Sequence, residues 1–303
     1  MKEVYTLEDL TRWSEVGGPH RLAVFGDPVA HSRSPQMHNA ALEAIGSPIR
    51  YCRLHIRPEE LEAALKRLPE AGFLGVNLTI PHKAAAVPLL DSVDDHARRL
   101  GVVNTVLVEE GKLYGFNTDG PGLVRAVRSE FGVDIRDLRV MVLGAGGGAG
   151  RAIAMQCALE GCERLVLVNR THEKAAQLAY ELEPYFRGPR LLGPFARRIE
   201  AVPWESGALA AQLENIDLVI NATSCGMKRT DPPVLPSSIL MPHLMVYDTI
   251  YTAHRTPLLV AADAVGARGA NGLSMLLYQG ALAFEIWFNR EAPVEVMRRA
   301  LTE

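Results

Sequence analysis

Residues 139–171 constrain this chain most. Within them 140–143 is a four-residue apolar run, too short for a helix and suited to a buried parallel strand. It opens onto Gly144-Ala145-Gly146-Gly147-Gly148-Ala149-Gly150-Arg151, then an Ala-rich helical segment over 151–160, closed by Gly161. A second apolar strand covers Arg164–Val168. Between strand and helix, glycines let the backbone turn sharply and approach a pyrophosphate, whose charge then rests on the helix N-terminus. The candidate dinucleotide contacts are therefore Gly144, Ala145, Gly146, Gly147, Gly148 and Ala149. The third, helix-packing position of such a turn is open among Gly147, Gly148 and Ala149. The second strand runs into Asn169-Arg170-Thr171, with Lys174 one turn on. An NAD site usually carries an acidic residue there for the ribose hydroxyls, and a carboxylate would repel a 2′-phosphate that Arg170 and Lys174 attract. The stretch reads as an NADP site. The alternative is a glycine turn packed for its own sake beside a solvated arginine.

At 303 residues the chain has room for a large core and two domains. Its 48% hydrophobic and 22% charged residues are ordinary for a soluble globular protein. A net charge of −3 leaves no electrostatic footprint for nucleic acid or an anionic membrane. No apolar run approaches a membrane span, and residues 1–20 lack the basic start and apolar centre of a signal peptide. Cys52, Cys157, Cys162 and Cys225 match no zinc or disulfide spacing, and the nine histidines form no ligand-like cluster. The expectation is a cytoplasmic protein without a metal, a monomer or homodimer, whose partner is a small-molecule substrate.

Strands are expected at 22–25, 49–56, 73–80 and 102–108, with a hairpin at Gly111 returning through 112–116. Helices are expected at 6–13, 35–45, 58–68 and 92–100, and from Asn117 to about Phe131. Beyond Thr171 the pattern predicts a helix to about Tyr185 and a loop rich in Gly, Pro and Arg over 188–198. Strands then follow at 199–202, 218–221 and 245–249, and helices at 257–265 and 272–288. The last helix carries few charges and should return to the N-terminal domain. The fold class is α/β with two domains. Residues 20–118 with 272–303 form an N-terminal α/β substrate domain, and 119–271 a Rossmann-type NADP-binding domain, with the active site in a cleft between them. Residues 1–19 read as an N-terminal extension with no role beyond surface packing.

Three further loops carry polar clusters where predicted strands end, the place at which open α/β sheets bind ligands. In His31-Ser32-Arg33-Ser34-Pro35 two hydroxyls, one residue apart before a helix, make a carboxylate cradle; alternatively Ser34 is the N-cap ahead of Pro35. A serine-hydrolase reading of Asp27, His31 and Ser32 fails, because the three crowd one loop without a nucleophile elbow. In Asn77-Leu78-Thr79-Ile80-Pro81-His82-Lys83, strand alternation sends Asn77 and Thr79 to one side, and Pro81 turns Lys83 back over the strand end. Polar side chains on the inner face of an apolar strand need a partner, such as a polyhydroxylated ligand. Lys83 taken alone reads as a solvated lysine. The third cluster joins Asn104-Thr105 to Asn117-Thr118-Asp119-Gly120, where Asp119 taken alone reads as a helix cap.

Taken together the motifs resemble the shikimate dehydrogenase family. They are G-x-P-x-x-H-S-x-S-P at 26–35, V-N-L-T-I-P-H-K at 76–83, V-N-T at 103–105 and N-T-D-G at 117–120. The glycine turn, N-R-T at 169–171, N-A-T-S-x-G at 221–226, and Gly272-Leu273 with Tyr278-Gln279-Gly280-Ala281 follow in order. The resemblance implies NADP-dependent interconversion of shikimate and 3-dehydroshikimate, a step of aromatic amino acid biosynthesis. It implies Lys83 and Asp119 as the catalytic pair, and Ser32 and Ser34 on the substrate carboxylate with Tyr251 nearby. Asn77, Thr79, Asn104 and Gln279 would bind ring hydroxyls, and Gly144 to Ala149, Asn169, Arg170, Thr171 and Lys174 the cofactor. The chemistry agrees, since oxidising a secondary alcohol needs a base for its proton while hydride leaves to nicotinamide. Two rivals stand beside this: a quinate/shikimate dehydrogenase using NAD or NADP, and an inactive NADP-sensing protein, which need not retain Lys83 and Asp119. Two departures from the family pattern are a glycine turn one residue longer than usual and Lys174 where Arg is frequent, which keeps the charge but loses bidentate phosphate contact.

Overall fold

The computed structural model describes residues 2–188 and 197–303. They form two compact units, Met1–Gly122 with Leu276–Glu303, and Leu123–Met275.

The first unit begins with β1 (Tyr5–Thr6), α1 (Leu7–Thr11) and α2 (Trp13–Val16). It continues through β2 (His20–Gly26), α3 (Ser34–Ala44), β3 (Arg50–His55), α4 (Leu61–Arg67), β4 (Gly75–Leu78) and α5 (His82–Ala85). Then come β5 (Ser92–Val93), α6 (Asp95–Leu100), β6 (Thr105–Glu109), β7 (Lys112–Phe116) and the start of α7 (Asp119–Phe131). The sheet order is β1-β3-β2-β4-β6-β7-β5. β1, β3, β2 and β4 run parallel, whereas β6 is antiparallel to both neighbours. Leu22 to Phe25 on β2 is apolar at every position and buried throughout, as a strand covered on both faces must be.

Residues 2–20 are no extension. Tyr5 pairs with Leu54 on β3, and Tyr5, Leu10 and Trp13 are buried in the unit's core. Trp13 lies against Tyr5 and Phe73, both ring centroids 5.0 Å away, and its indole N–H donates to the His20 carbonyl at 3.2 Å. The segment hides its apolar face because a strand and two short helices follow one another, broken at Arg12, so no single period runs through it. The helix expected at 92–100 starts later. Asp94 caps α6 by accepting the Ala97 N–H at 2.8 Å, and Ser92-Val93 pairs instead with Tyr114-Gly115 as an edge strand.

The second unit holds β8 (Arg139–Leu143), α8 (Gly148–Glu160), β9 (Arg164–Val168), α9 (His172–Leu182) and β10 (Ile199–Val202). It continues with α10 (Ser206–Leu213), β11 (Leu218–Asn221), β12 (Met245–Asp248), α11 (Pro257–Ala264) and β13 (Arg268–Asn271). All its strands are parallel, in the order β10-β9-β8-β11-β12-β13. The order reverses beside β8, so the crevice outside the carboxyl ends of β8 and β11 is the ligand position of this topology. α12 (Leu273–Phe288) begins here and passes into the first unit, where α13 (Val294–Thr302) packs on α3. α10, β13 and α13 were not expected from sequence. β13 reads Arg-Gly-Ala-Asn, without strand-forming residues, and owes its conformation to pairing with β12. Most of the loop expected at 188–198 lies outside the described residues.

Candidate active site

β4 ends in the 79–81 turn, and α5 then carries Lys83 back over the strand end. β7 ends before Asn117, and α7 starts at Asp119. The Lys83 Nζ donates to Asp119 Oδ2 at 2.7 Å, with side chains 32% and 20% exposed. Neither residue follows its isolated reading. The lysine is paired, and the helix start is capped by Asn117, whose Oδ1 accepts the N–H groups of Asp119 (3.1 Å) and Gly120 (3.2 Å). That leaves the Asp119 carboxylate for Lys83.

Behind the pair lies a buried bed of amides and hydroxyls. Asn104 Oδ1 accepts the Thr118 N–H at 2.7 Å, and its Nδ2 donates to Thr118 Oγ1 at 2.9 Å and to Gln279 Oε1 at 3.4 Å. Thr105 Oγ1 bonds Thr118 Oγ1 at 3.2 Å. Asn77 Nδ2 donates to the Asn104 carbonyl (3.2 Å) and Thr105 Oγ1 (3.0 Å), while its Oδ1 accepts from the Tyr51 hydroxyl at 2.8 Å. Both amide hydrogens of Asn77 are thus engaged by protein, and toward a ligand it can act as an acceptor. The Gln279 amide donates to the Leu276 carbonyl at 2.8 Å. Thr79 is half-buried, its methyl lying where a side chain at Gly26 would have to go.

Ser34 is the first residue inside α3, with Arg33 at the N-cap and no side-chain cap bond, so the capping reading of Ser34 does not hold. Its N–H donates to Ser32 Oγ at 3.4 Å. The Ser32 carbonyl is held by Arg53 through Nε (3.0 Å) and a terminal nitrogen (2.7 Å). Tyr251 belongs to the second unit, on the segment after β12. Sequence reasoning overlooked Tyr51 and Arg53. Their one signal is alternation along β3, which sends both away from the Cys52–Leu54 face.

In the second unit β8 runs into Gly144 at φ 84°, and Gly147 is the N-cap of α8. A Cβ at Gly150 would stand 2.1 Å from the Gly144 carbonyl oxygen, whereas at Gly148 it would meet nothing within 4 Å. The helix-packing position is therefore Gly150, not Gly147, Gly148 or Ala149. The extra residue lengthens the exposed arc of the turn, and the close contact moves to the next glycine. The Gly146 N–H donates to Asn169 Oδ1 at 3.1 Å, and Asn169 Nδ2 to the Thr171 carbonyl at 2.9 Å, so a neutral amide brackets the turn where an NAD site has a carboxylate. Arg170 and Lys174 are exposed and form no ion pair among the described residues. Ala145, Gly146, Arg151, Glu173 and Lys174 line a groove of about 440 Å³. A larger cavity of about 720 Å³ between α9 and β10 contains none of the expected site residues. Free N–H groups at the start of α8, no carboxylate at Asn169, and two unpaired cations fit a dinucleotide with a 2′-phosphate.

Such a sheet, in a chain that also holds a lysine–carboxylate pair bedded in amides and hydroxyls, defines an NADP-dependent oxidoreductase. Comparison with known proteins makes this particular: the chain belongs to the shikimate dehydrogenase family. Residues 24–106 match the family described as shikimate dehydrogenase substrate binding domain. Residues 125–229 match shikimate / quinate 5-dehydrogenase, and 272–302 the shikimate 5′-dehydrogenase C-terminal domain. The shikimate dehydrogenase (NADP(+)) of Methanopyrus kandleri is 42% identical over 284 residues, covering 93% of this chain and 94% of the relative. That of Moorella thermoacetica is 44% identical over 283 residues, covering 93% and 92%. The crystal structure of shikimate 5-dehydrogenase from Thermus thermophilus in complex with NADP(H) and shikimate superposes with a TM-score of 0.79 at 38% identity, covering 93% of this chain and 98% of that one.

Proposed function

We propose that Lys83 and Asp119 are the proton-transfer pair of the reaction this family member carries out, the reversible NADPH-dependent reduction of 3-dehydroshikimate to shikimate. The observation that carries the assignment is the 2.7 Å Lys83–Asp119 contact, held by an Asn117 cap and an Asn104–Thr118 bed. Bound NADPH supplies the hydride. In the reduction Lys83 gives a proton to the carbonyl oxygen as it becomes a hydroxyl, and in the oxidation it receives that proton. Asp119 aims the ammonium and balances its charge.

Ser32 and Ser34 hold the substrate carboxylate, and Thr79, Asn104, Gln279 and the Asn77 acceptor bind ring hydroxyls. The cofactor lies on the 144–150 turn with Asn169, Thr171, Arg170 and Lys174 around its 2′-phosphate end. The substrate domain comprises the first unit, with residues 2–20 inside it, and the cofactor domain the second. The described residues contain no helix long and apolar enough to cross a membrane, and all four cysteines are free thiols, which supports a cytoplasmic setting. A net charge of −3 supports a small-molecule partner rather than nucleic acid.

The test is NADPH absorbance with shikimate, quinate and no substrate, each with NADP and NAD. Turnover dependent on shikimate and favouring NADP is expected. Equal rates with quinate, or with NAD, would favour the dual-specificity reading.

A further inference from the structure

The N-A-T-S-x-G motif at 221–226 leaves the end of β11 beside β8, and so forms one wall of the crevice that holds the glycine turn. It abuts that turn, because a Cβ at Gly144 would stand 2.7 Å from the Thr223 methyl and 3.2 Å from the Thr223 nitrogen. Asn221 Oδ1 fixes Thr223 by accepting its N–H at 3.0 Å and its hydroxyl at 2.8 Å. The Asn221 amide nitrogen donates to Asp248 Oδ1 at 2.9 Å and reaches the Cys225 carbonyl at 3.4 Å. Asn221 and Asp248 are in register at the ends of β11 and β12, and both are 0% exposed. Asp248 also accepts the Ile250 N–H at 3.2 Å and, through Oδ2, the Thr256 hydroxyl at 2.6 Å. Burial raises its pKa, and these three donors oppose the rise. Asn271 ends β13 in the same row and accepts the N–H of Leu273 at 3.1 Å, so a turn at a strand end needs only one such bond. The second bond to Thr223, and the carboxylate behind the amide, set Asn221 apart.

We propose that Asn221 and Asp248 are positioning residues for the cofactor: the carboxylate fixes the amide, and the amide holds the Thr223 wall against Gly144, keeping the 144–150 turn in the shape that receives the dinucleotide. An amide carries one oxygen and one nitrogen, and only one orientation sets the oxygen on both donors of Thr223. A carboxylate accepts and does not donate, so the amide nitrogen turns to Asp248 and the oxygen is left for Thr223. Burial removes water as a substitute partner. Deprived of Asp248, the amide either keeps an unpaired buried hydrogen or swings away to satisfy it, and Thr223 is released with it. Substrate affinity has no part in this, since every member of the chain of contacts lies in the second unit. The inference rests on the placement of the cofactor on the 144–150 turn made above.

The test is Kd for NADP by calorimetric titration of the full chain, with Kd for shikimate and melting temperature measured alongside. Asp248→Leu removes the acceptors at similar side-chain shape. It should raise Kd for NADP about tenfold, the scale of one buried hydrogen bond, and leave Kd for shikimate unchanged. Asp248→Asn is the conservative rescue: its oxygen still accepts from Asn221 and Ile250 while its amide donates to Thr256 Oγ1, so NADP should bind within about twofold of wild type. Asn221→Ala should match Asp248→Leu, and adding Asp248→Leu to it should cost less than about twofold more, because the carboxylate acts through the amide. Thr256→Val cuts the other bond of the carboxylate and should lower the melting temperature without moving Kd for NADP. If Asp248→Leu does not fold, Asn221→Ala and Asp248→Asn carry the test. Wild-type Kd in a folded Asp248→Leu or Asn221→Ala would overturn the pair while leaving the enzyme assignment standing. So would additive losses, an asparagine variant as weak as the leucine one, or an equal loss in Thr256→Val. A wild-type chain that binds no NADP would overturn the cofactor placement and this inference with it.

Discussion

At the scale of single residues, the site depends on which polar atoms remain available after the protein has satisfied its own. Asn117 takes the helix cap, so Asp119 is left for Lys83; Asn169 takes the glycine turn, so Arg170 and Lys174 are left for an anion. Lys83→Ala should lower kcat by on the order of 10²–10⁴, the range for a positioned acid–base group, with a small change in KM for shikimate. A folded variant with near-normal kcat would remove Lys83 from the chemistry. Arg170→Ala should weaken NADP by about 1.5–3 kcal/mol, as for a lost charged hydrogen bond, and leave NAD nearly unaffected, so the NADP/NAD ratio of kcat/KM is the measurement. A ratio that the substitution does not move would end the phosphate reading. The residues of these pairs were legible in sequence because each lies in a dense polar motif beside a strand end. Tyr51 was not, since its partner Asn77 lies 26 positions away and nothing local marks an aromatic on a buried strand as polar in purpose.

At the scale of elements, the two strands of the unit at 139–171 were legible to within a residue, because apolar runs of strand length leave few alternatives, whereas α8 starts at Gly148, three residues before the expected 151. The inner contact of the turn was not legible. Spacing alone cannot say which glycine of a lengthened turn faces backbone, and the answer, Gly150, emerges only when helix and turn are placed together. Gly150→Ala would drive a methyl group onto the Gly144 carbonyl, a neighbour that cannot swing away as a side chain could. α8 must then shift from the turn. The expected outcome is a lower melting temperature and a raised KM for NADP, with kcat at saturating NADP little changed. The comparison is Gly148→Ala, where the added methyl meets open space and the melting temperature should hold. If the two variants melt alike, the packing assignment is wrong. Elements held by pairing rather than by propensity, such as β13 and the Ser92-Val93 edge, escaped the sequence for a related reason: their partners are distant in the chain.

At the scale of the whole molecule, both ends of the chain complete the first unit, Tyr5 and Trp13 from one side and α12 and α13 from the other. Where α12 and α13 close on α3 the chain buries His38. Its ring is 0% exposed, lies 5.3 Å from that of Trp287, and neither nitrogen has a hydrogen-bond partner. Burial alone drives its pKa from 6.5 down to about 3. The folded protein therefore keeps His38 neutral through a range in which the unfolded chain takes up a proton. By linkage, stability from this residue is complete above about pH 6.5 and declines as pH falls toward 3, at no more than about 1.4 kcal/mol per pH unit. His38→Phe keeps an aromatic ring against Tyr51 and removes the titration. Melting curves of wild type and His38→Phe between pH 7 and 4 should diverge, the wild type losing stability faster on acidification. Carboxylates elsewhere titrate in both proteins and cancel in the difference. Parallel acid limbs would mean that His38 is protonated in the folded state, through a proton path or a water that its packing does not suggest.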